Sequence, residues 1–420
     1  MSEIGSAPPT RGLTRNVVVL GIVSLLTDIS SEMTLTLLPL FLANDLGART
    51  AIIGLVEGLS ETTAGVTRIF SGWFSDLWGK RKGLTIVGYG LSAISKPFLY
   101  FATVWPTVLG VRFMDRLGKG IRTSPRDALI ADSSAEGRRG LAFGFHRAAD
   151  SAGAFIGLGA AALIIYLTQR NAILLVSESY RQLVLYAMIP GFVGVIVLAL
   201  FVRERARRRN PNAQPPRLSF RDLDVRFRIF IAIIIIFTLG NSSDAFLVLR
   251  AQDLGLSVFH ITLALVLFNA VYMVISTPAG ALSDRWGRTR VISASWLLYT
   301  VVYLGFGLAR TGGHIWVLFA LYGVYYGMSE GTARALVGDV VREDQRGTAY
   351  GIYNAAVSVT VLPAGLIAGA LWQGVGKWPG FGAHAPFLFG SVMSLLALVL
   401  LLAWLPTARI GQPRTTETRT

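Results

Sequence analysis

A chain of 420 residues that is 53% hydrophobic and only 15% charged carries too little charge for an ordinary soluble domain, where about a quarter of residues are charged, and its mean hydropathy of +0.55 makes lipid the expected solvent. The net charge of +15 does not point to nucleic acid, because the basic residues alternate by loop, as membrane topology requires. The complete absence of cysteine excludes disulfides, thiolate metal sites and cysteine catalysis.

A bilayer core about 30 Å thick takes roughly 20 apolar residues per helix. After a tail over 1–15, the sequence offers spans at 16–43, 51–72, 84–104, 108–132, 140–168 and 182–202. A basic linker follows over 203–228, with Arg207-Arg208-Arg209-Asn210-Pro211 and Pro215-Pro216. Spans at 229–250, 258–280, 290–309, 314–339, 347–372 and 385–405 lead to a tail over 406–420. The first span is too long for a cleavable signal and contains Asp28 and Glu32, so it reads as a signal anchor. Arg11, Arg15, Lys80, Arg81, Lys82, Arg138, Arg139, the linker, Arg285, Arg288, Arg290, Arg342, Arg346 and Arg409 fall on one side of this topology. The other side holds little beyond Arg49, Arg170, Arg181, Arg310 and Lys377, which predicts an inner-membrane protein with both termini cytoplasmic. The linker arginines read as topology determinants and lipid-headgroup contacts.

The chain also repeats itself. Gly72-Trp73-Phe74-Ser75-Asp76-Leu77-Trp78-Gly79-Lys80-Arg81-Lys82 returns at an offset of 208 residues as Gly280-Ala281-Leu282-Ser283-Asp284-Arg285-Trp286-Gly287-Arg288-Thr289-Arg290. Ser30-Ser31-Glu32 matches Ser242-Ser243-Asp244, and Glu136-Gly137-Arg138-Arg139-Gly140 matches Glu343-Asp344-Gln345-Arg346-Gly347. Ordered matches of this kind predict an all-α membrane protein of twelve transmembrane helices in two six-helix bundles, 6+6. The duplicated loop resembles the signature of the major facilitator superfamily. The resemblance implies a gate whose contacts form when the cytoplasmic side is closed, built by Gly72, Asp76, Gly79, Lys80 and Arg81 and by Gly280, Asp284, Arg285, Gly287 and Arg288. In the residues themselves, the glycines permit close approach and tight turning, the carboxylates sit at helix ends, and the cations stay in water.

The fourth span carries the densest chemistry. Arg112, Asp115, Arg116, Lys119, Arg122 and Arg126 recur at three or four residues and so share a face. Each charge costs about 2.5–3.5 kcal/mol at a helix centre, so this face meets a water-filled cavity or other helices. Two readings stay open: a self-neutralising network, and an anion-binding cavity. Arg112, Asp115, Arg116 and Lys119, with Arg147 and Asp150 of the fifth span and Asp244 and Glu330 of the second half, are the substrate-binding candidates. Asp28 and Glu32, four apart and with Asp28 roughly 18 Å into its span, are the proton-coupling candidates, together with Glu57 and Glu61. Lys96 and Arg68 count among the buried bases. His146 reads first as a hydrogen-bonded packing histidine. Tyr272, Tyr322, Tyr325, Tyr326 and Tyr353 read first as interfacial or packing residues.

Arg112, Gly118 and Gly120 resemble the fourth-helix pattern of the superfamily's drug-proton antiporters, with Asp115-Arg116 in place of Gln-Gly. Gly153 and Gly157 resemble part of their fifth-helix signature, with Leu158 where proline is expected. This partial resemblance implies antiport and export. Gly118-Lys119-Gly120 lacks the rest of a phosphate loop, and four scattered histidines offer no metal site, so no cofactor or metal is expected. The expectation is a secondary active transporter, not an enzyme. It moves a small anionic or zwitterionic molecule by alternating access as a monomer, coupled to protons, with export favoured over import. The alternatives are an ion-coupled importer of an anionic solute and, less favoured, a polytopic membrane enzyme or a non-transporting sensor.

Overall fold

The computed structural model describes residues 13–78, 80–134, 139–204, 224–340 and 346–408. The first predicted span is two helices, α1 (Arg15–Leu35) and α2 (Leu38–Asn44). Pro39 falls in the first turn of α2, where its missing N–H costs nothing. Then come α3 (Thr50–Trp78), α4 (Arg81–Ser95) with a tighter 3-10 turn at Lys96–Leu99, α5 (Trp105–Ser133), α6 (Arg139–Gln169) and α7 (Ser177–Phe201). The second half opens on another split span, α8 (Val225–Gly240) and α9 (Asp244–Asp253). It continues with α10 (Val258–Trp286), α11 (Arg288–Leu308), α12 (Gly312–Val340), α13 (Arg346–Gln373) and α14 (Ala385–Ala408). No strand occurs among the described residues. Counting each split pair as one span, the fold is the expected all-α arrangement of twelve spans, 6+6. Among the described residues, eight spans are long and apolar enough to cross a membrane by length and composition alone; α3 and α5 are not among them, because of the ionisable residues they carry.

Two compact units emerge from the contacts. Unit 1 is Met1–Ala48, Thr63–Pro215 and Ser257–Leu263; unit 2 is Arg49–Thr62, Pro216–Leu256 and Ala264–Thr420. The first part of α3 thus belongs to unit 2 and its remainder to unit 1.

In unit 1, α1 lies against α6 and α7, and α4 against α5. Lipid supplies no hydrophobic drive between helices, so close approach through small residues matters most. At the α4–α5 crossing, a Cβ on Gly118 would fall 2.5 Å from the Gly88 carbonyl oxygen and 2.9 Å from Ser92 Oγ. Alongside, Ser92 Oγ donates to the Asp115 carbonyl at 3.0 Å. In unit 2, α11 packs on α12 and α14, and α8 on α13 and α14. There the first part of α3 meets α13 backbone to backbone: Gly54 abuts Gly365, Gly58 abuts Leu362, and Gly369 abuts Ala51. The removed side chains let Thr50 Oγ1 donate to the Gly369 carbonyl at 2.9 Å and Thr62 Oγ1 to that of Ser358 at 2.6 Å.

The α4–α5 crossing gives a direct test. Gly118→Ala should lower stability by about 1–3 kcal/mol through overpacking. Gly90→Ala, on α4 but facing open space, should be neutral or stabilising through helix propensity. Thermal unfolding of both variants in detergent distinguishes them.

Candidate functional site

Each half contains one split span, but the breaks do not coincide in the repeat: with Ser30-Ser31-Glu32 matched to Ser242-Ser243-Asp244, the first break falls after the triplet and the second within it. The α1–α2 break, at Thr36 and Leu37, follows Glu32; the α8–α9 break, at Asn241, Ser242 and Ser243, precedes Asp244. A helix end in lipid leaves backbone carbonyls and N–H groups without partners. Paired interruptions in the two halves of a repeat are where transporters place binding sites.

In unit 1 a lysine and a tyrosine hold the turns of α1 that lead to the break. Lys96, 2% exposed, donates to Ser30 Oγ at 3.0 Å and Ser31 Oγ at 2.9 Å. Tyr180 Oη donates to the Thr34 carbonyl at 3.3 Å, and its ring stacks on Phe41 of α2. Thr36 Oγ1 donates to Glu32 Oε2 at 2.7 Å. Asp28 and Glu32 are half-buried, and α6 approaches them through the Gly153 and Gly157 pair. A Cβ on Gly153 would lie 3.1 Å from Asp28 Cβ, and one on Gly157 3.1 Å from Glu32 Cβ. These glycines therefore seat α6 at the two carboxylates.

In unit 2 tyrosines of α11 hold the break. Tyr299 Oη donates to the Gly240 carbonyl at 3.1 Å, with Asn241 Oδ1 at 3.2 Å, and Tyr303 Oη to the Ser242 carbonyl at 3.3 Å. Ser243 caps α9 by accepting from the Ala245 N–H at 3.3 Å. Arg250, bonded to the Phe306 and Ala309 carbonyls and paired with Asp253, ties α9 to the end of α11. Asp244 accepts from Tyr322 Oη at 2.8 Å, and Glu330 accepts from Tyr272 Oη. Glu57 and Glu61 lie within electrostatic reach of Asp244. The proton-coupling candidates thus separate: Asp28 and Glu32 fall in unit 1, Glu57 and Glu61 beside Asp244 in unit 2. Around these carboxylates Phe268, Tyr272, Tyr322 and Tyr326 form an aromatic cluster with centroids 5.1–6.4 Å apart. No metal-binding group of three His, Cys, Asp or Glu occurs among the described residues.

The α5 stripe divides. Arg112 (1% exposed), Asp115 (4%) and Arg122 (6%) are buried, while Arg116, Lys119 and Arg126 are half-buried. Arg122 Nη1 donates to Ser92 Oγ at 2.6 Å, and its guanidinium lies 4.3 Å from the Tyr89 ring centroid. Asp115 sits in the field of Lys96, Arg116, Arg112 and Arg122. Arg147 of α6 is exposed, and Asp150 is half-buried with Oδ2 3.5 Å from His146 Nδ1. His146 is buried as a packing residue would be, but its Nε2 has no hydrogen-bond partner.

Of the loop residues, Gly79 and the side chains of Asp76 and Asp284 lie outside the described residues. Gly287 precedes α11 at φ 92°, a conformation suited to glycine. A Cβ at Gly280 would meet open space, and one at Gly72 would make ordinary contact with Ser124. Lys80 and Arg285 are exposed, and Arg288 is half-buried. Arg81, expected in water with the other loop cations, is instead 7% exposed. It pairs with Asp132 and donates to the Ala128 carbonyl at 3.1 Å, which offsets its desolvation. Glu204 accepts from the N–H groups of Arg81 at 3.2 Å and Lys82 at 2.8 Å, placing a carboxylate on the α4 N-terminus. Glu204, Tyr299 and Tyr303 are the residues that sequence reasoning did not select, and none left a local signal. Lys96 was counted only as a buried base, a lone cation in the apolar run Ala93-Ile94-Ser95-Lys96-Pro97, and Asp132 only as a continuation of the polar face of the fourth span.

Twelve spans in a twofold repeat, with ionisable side chains gathered at paired helix breaks, define a polytopic membrane transporter of small molecules. The chain belongs to the Major Facilitator Superfamily, whose family model matches residues 20–249 and 229–420. It is 37% identical over 398 residues to an uncharacterized MFS-type transporter of Methanocaldococcus jannaschii, covering 93% of this chain and 95% of that one. The class C tetracycline resistance protein of Escherichia coli is 30% identical over 143 residues, 34% of each chain. Among solved structures, a POT family transporter in complex with 5-aminolevulinic acid superposes at a TM-score of 0.78, with 13% identity over 96% of this chain and 99% of that one. The protein is a transporter, not an enzyme.

Tyr299→Phe tests the broken span in unit 2. It leaves the Gly240 carbonyl without its buried donor, which should cost about 1–3 kcal/mol and appear as a lowered melting temperature with unchanged helix content.

Proposed function

We propose that the chain exports a small zwitterionic or anionic solute in exchange for protons. It acts as a monomer by alternating access, in the cytoplasmic membrane with both termini in the cytoplasm. The observation that carries this reading is an intramembrane carboxylate near each split span, Glu32 on α1 one turn before its break and Asp244 at the start of α9. Carboxylates inside a span are costly and are retained where they bind or carry protons. Asp28 and Glu32 take up and release the coupling proton, with Glu57 and Glu61 as the corresponding acids of unit 2. Arg116 and Lys119, backed by the buried Arg112 and Asp115, give unit 1 its cationic character, and Arg147 and Asp150 add charge on α6. The carboxylates of Asp244 and Glu330, set among tyrosines, suit the cationic group of a zwitterion. The partial likeness to a tetracycline resistance protein favours export.

A thermal-shift panel of small anions and zwitterions on the purified protein identifies a ligand, and proteoliposomes with an imposed pH gradient then measure its transport. Asp28→Asn and Glu32→Gln should abolish uphill movement while keeping the ligand's thermal shift. Wild-type accumulation at unaltered pH dependence in both variants would overturn the coupling assignment. Accumulation that follows a sodium gradient at clamped pH excludes protons, and movement in the direction of proton flow makes the protein an importer.

The gate is tested separately. Asp76→Ala and, more weakly, Asp284→Ala should bias the protein toward the inward-open form, since about 1.4 kcal/mol changes a two-state ratio tenfold. Faster labelling of cysteines engineered into the cytoplasmic half of the cavity would report this, against a background with no native cysteine. Unchanged labelling with normal turnover would make both carboxylates topological only.

A further inference from the structure

We propose that His146 and Asp150 form a proton relay that serves Asp28, which extends the proton-coupled reading and rests on it. Both residues lie on α6, four apart, with His146 Nδ1 3.5 Å from Asp150 Oδ2. His146 is 4% exposed. The outer atoms of the pair, His146 Nε2 and Asp150 Oδ1, are buried without a hydrogen-bond partner. Buried polar atoms are nearly always satisfied, so two adjacent exceptions require a use.

Helix register sets the direction of the relay. Phe145 meets Gly21, Gly153 meets Leu25 and the Asp28 Cβ, and Gly157 meets Ile29 and the Glu32 Cβ. The helices α6 and α1 therefore run parallel, and His146, Asp150, Asp28 and Glu32 climb in order from the face where both begin, the cytoplasmic face in the reading above. Asp150 stands one turn before Gly153, the residue that meets the Asp28 Cβ, and Asp150, Lys119, Glu32 and Arg122 are the charged groups within reach of Asp28. The groups facing His146 are Arg126 and Asp127 from α5 and Asp150 and Arg147 from α6. Asp28 stands on α1 beyond Asp150. The charges of α7, Glu178 and Arg181, lie in its first turn, beside the far end of α6.

The step balances in protons alone. With the cytoplasmic side open, a hydronium ion gives its proton to Nε2, and the Nδ1 proton passes to Asp150 Oδ2. Rotation of the Asp150 carboxyl group carries that same proton to the Asp28 carboxylate, and the imidazole resets by exchanging tautomers. No electrons are transferred. The histidine is suited to this because its two nitrogens can receive and donate at once.

The test is a pH jump on the purified full chain in lipid, followed by time-resolved infrared spectroscopy of the carboxylic C=O band that Asp28→Asn removes. His146→Gln and Asp150→Asn should slow the rise of that band by about 100-fold, the scale of a lost general acid–base group, with its final amplitude retained. In His146→Ala, added imidazole should restore the rate, which a packing role would not allow. Melting temperature is read for each variant, and His146→Asn stands in for any that fails to fold. A wild-type rate in folded His146 and Asp150 variants overturns the relay while leaving Asp28 coupling intact. Absence of any Asp28-dependent band across the pH range overturns the coupling reading and the relay with it.

Discussion

In a lipid solvent every backbone N–H and carbonyl must find a partner inside the protein, and a helix that stops mid-membrane violates this until another side chain intervenes. The fold accepts that violation twice, at Thr36–Leu37 and at Asn241–Ser243, and much of the chemistry follows from how each gap is filled. In both units tyrosine hydroxyls meet the carbonyls near the gap: Tyr180 takes that of Thr34 in unit 1, and Tyr299 and Tyr303 take those of Gly240 and Ser242 in unit 2. The halves of the repeat thus solve one backbone problem with the same chemistry. The surroundings differ, since unit 1 adds Lys96, which bridges the Ser30 and Ser31 hydroxyls before the break.

Glycine decides which charges meet. Without a hydrophobic drive between helices, backbones that nearly touch supply the packing. Gly153 and Gly157 bring α6 against the turns of α1 that carry Asp28 and Glu32, and Gly88 and Gly118 bring α4 against the Asp115–Arg122 stretch of α5. Gly54 and Gly58 of α3, against Gly365 and Leu362 of α13, lie within two turns of Glu57 and Glu61. The ionisable groups therefore stand on the most closely packed helices, where their neighbours are fixed by backbone and not by flexible side chains.

The repeat, the spans and the family signature were legible in the sequence because each depends on composition or on local pattern. Of the matched triplets Ser30-Ser31-Glu32 and Ser242-Ser243-Asp244, only the second coincides with a break, the first lying within α1, and neither break was revealed because the residues on either side remain apolar enough to continue a span. Periodicity predicted one charged face on α5, and the six residues do share it; that Arg112, Asp115 and Arg122 are buried while Arg116, Lys119 and Arg126 are half-buried is set by what packs at each level, which periodicity does not encode. Arg81 was expected in water because a basic loop reads as topology. Its partner Asp132 is 51 residues away, and no local pattern announces so distant an ion pair. Glu204 on the α4 N-terminus and the tyrosines of α11 escaped for the same reason.

Charge also connects Lys96 with Asp28 in unit 1. Lys96 holds Ser30 and Ser31, and the charges in its reach include Asp115, Arg122, Asp28 and Arg116. Asp28 in turn feels Asp150, Lys119, Glu32 and Arg122. A proton on Asp28 removes one negative charge from a set in which Lys96, Arg112 and Arg122, each under 10% exposed, outnumber the buried Asp115. Repulsion among those cations then rises, and Lys96, which holds Ser30 and Ser31 on the turns of α1 between Asp28 and its end, stands among them. The charge state of Asp28 is therefore felt at Lys96 without direct contact between the two.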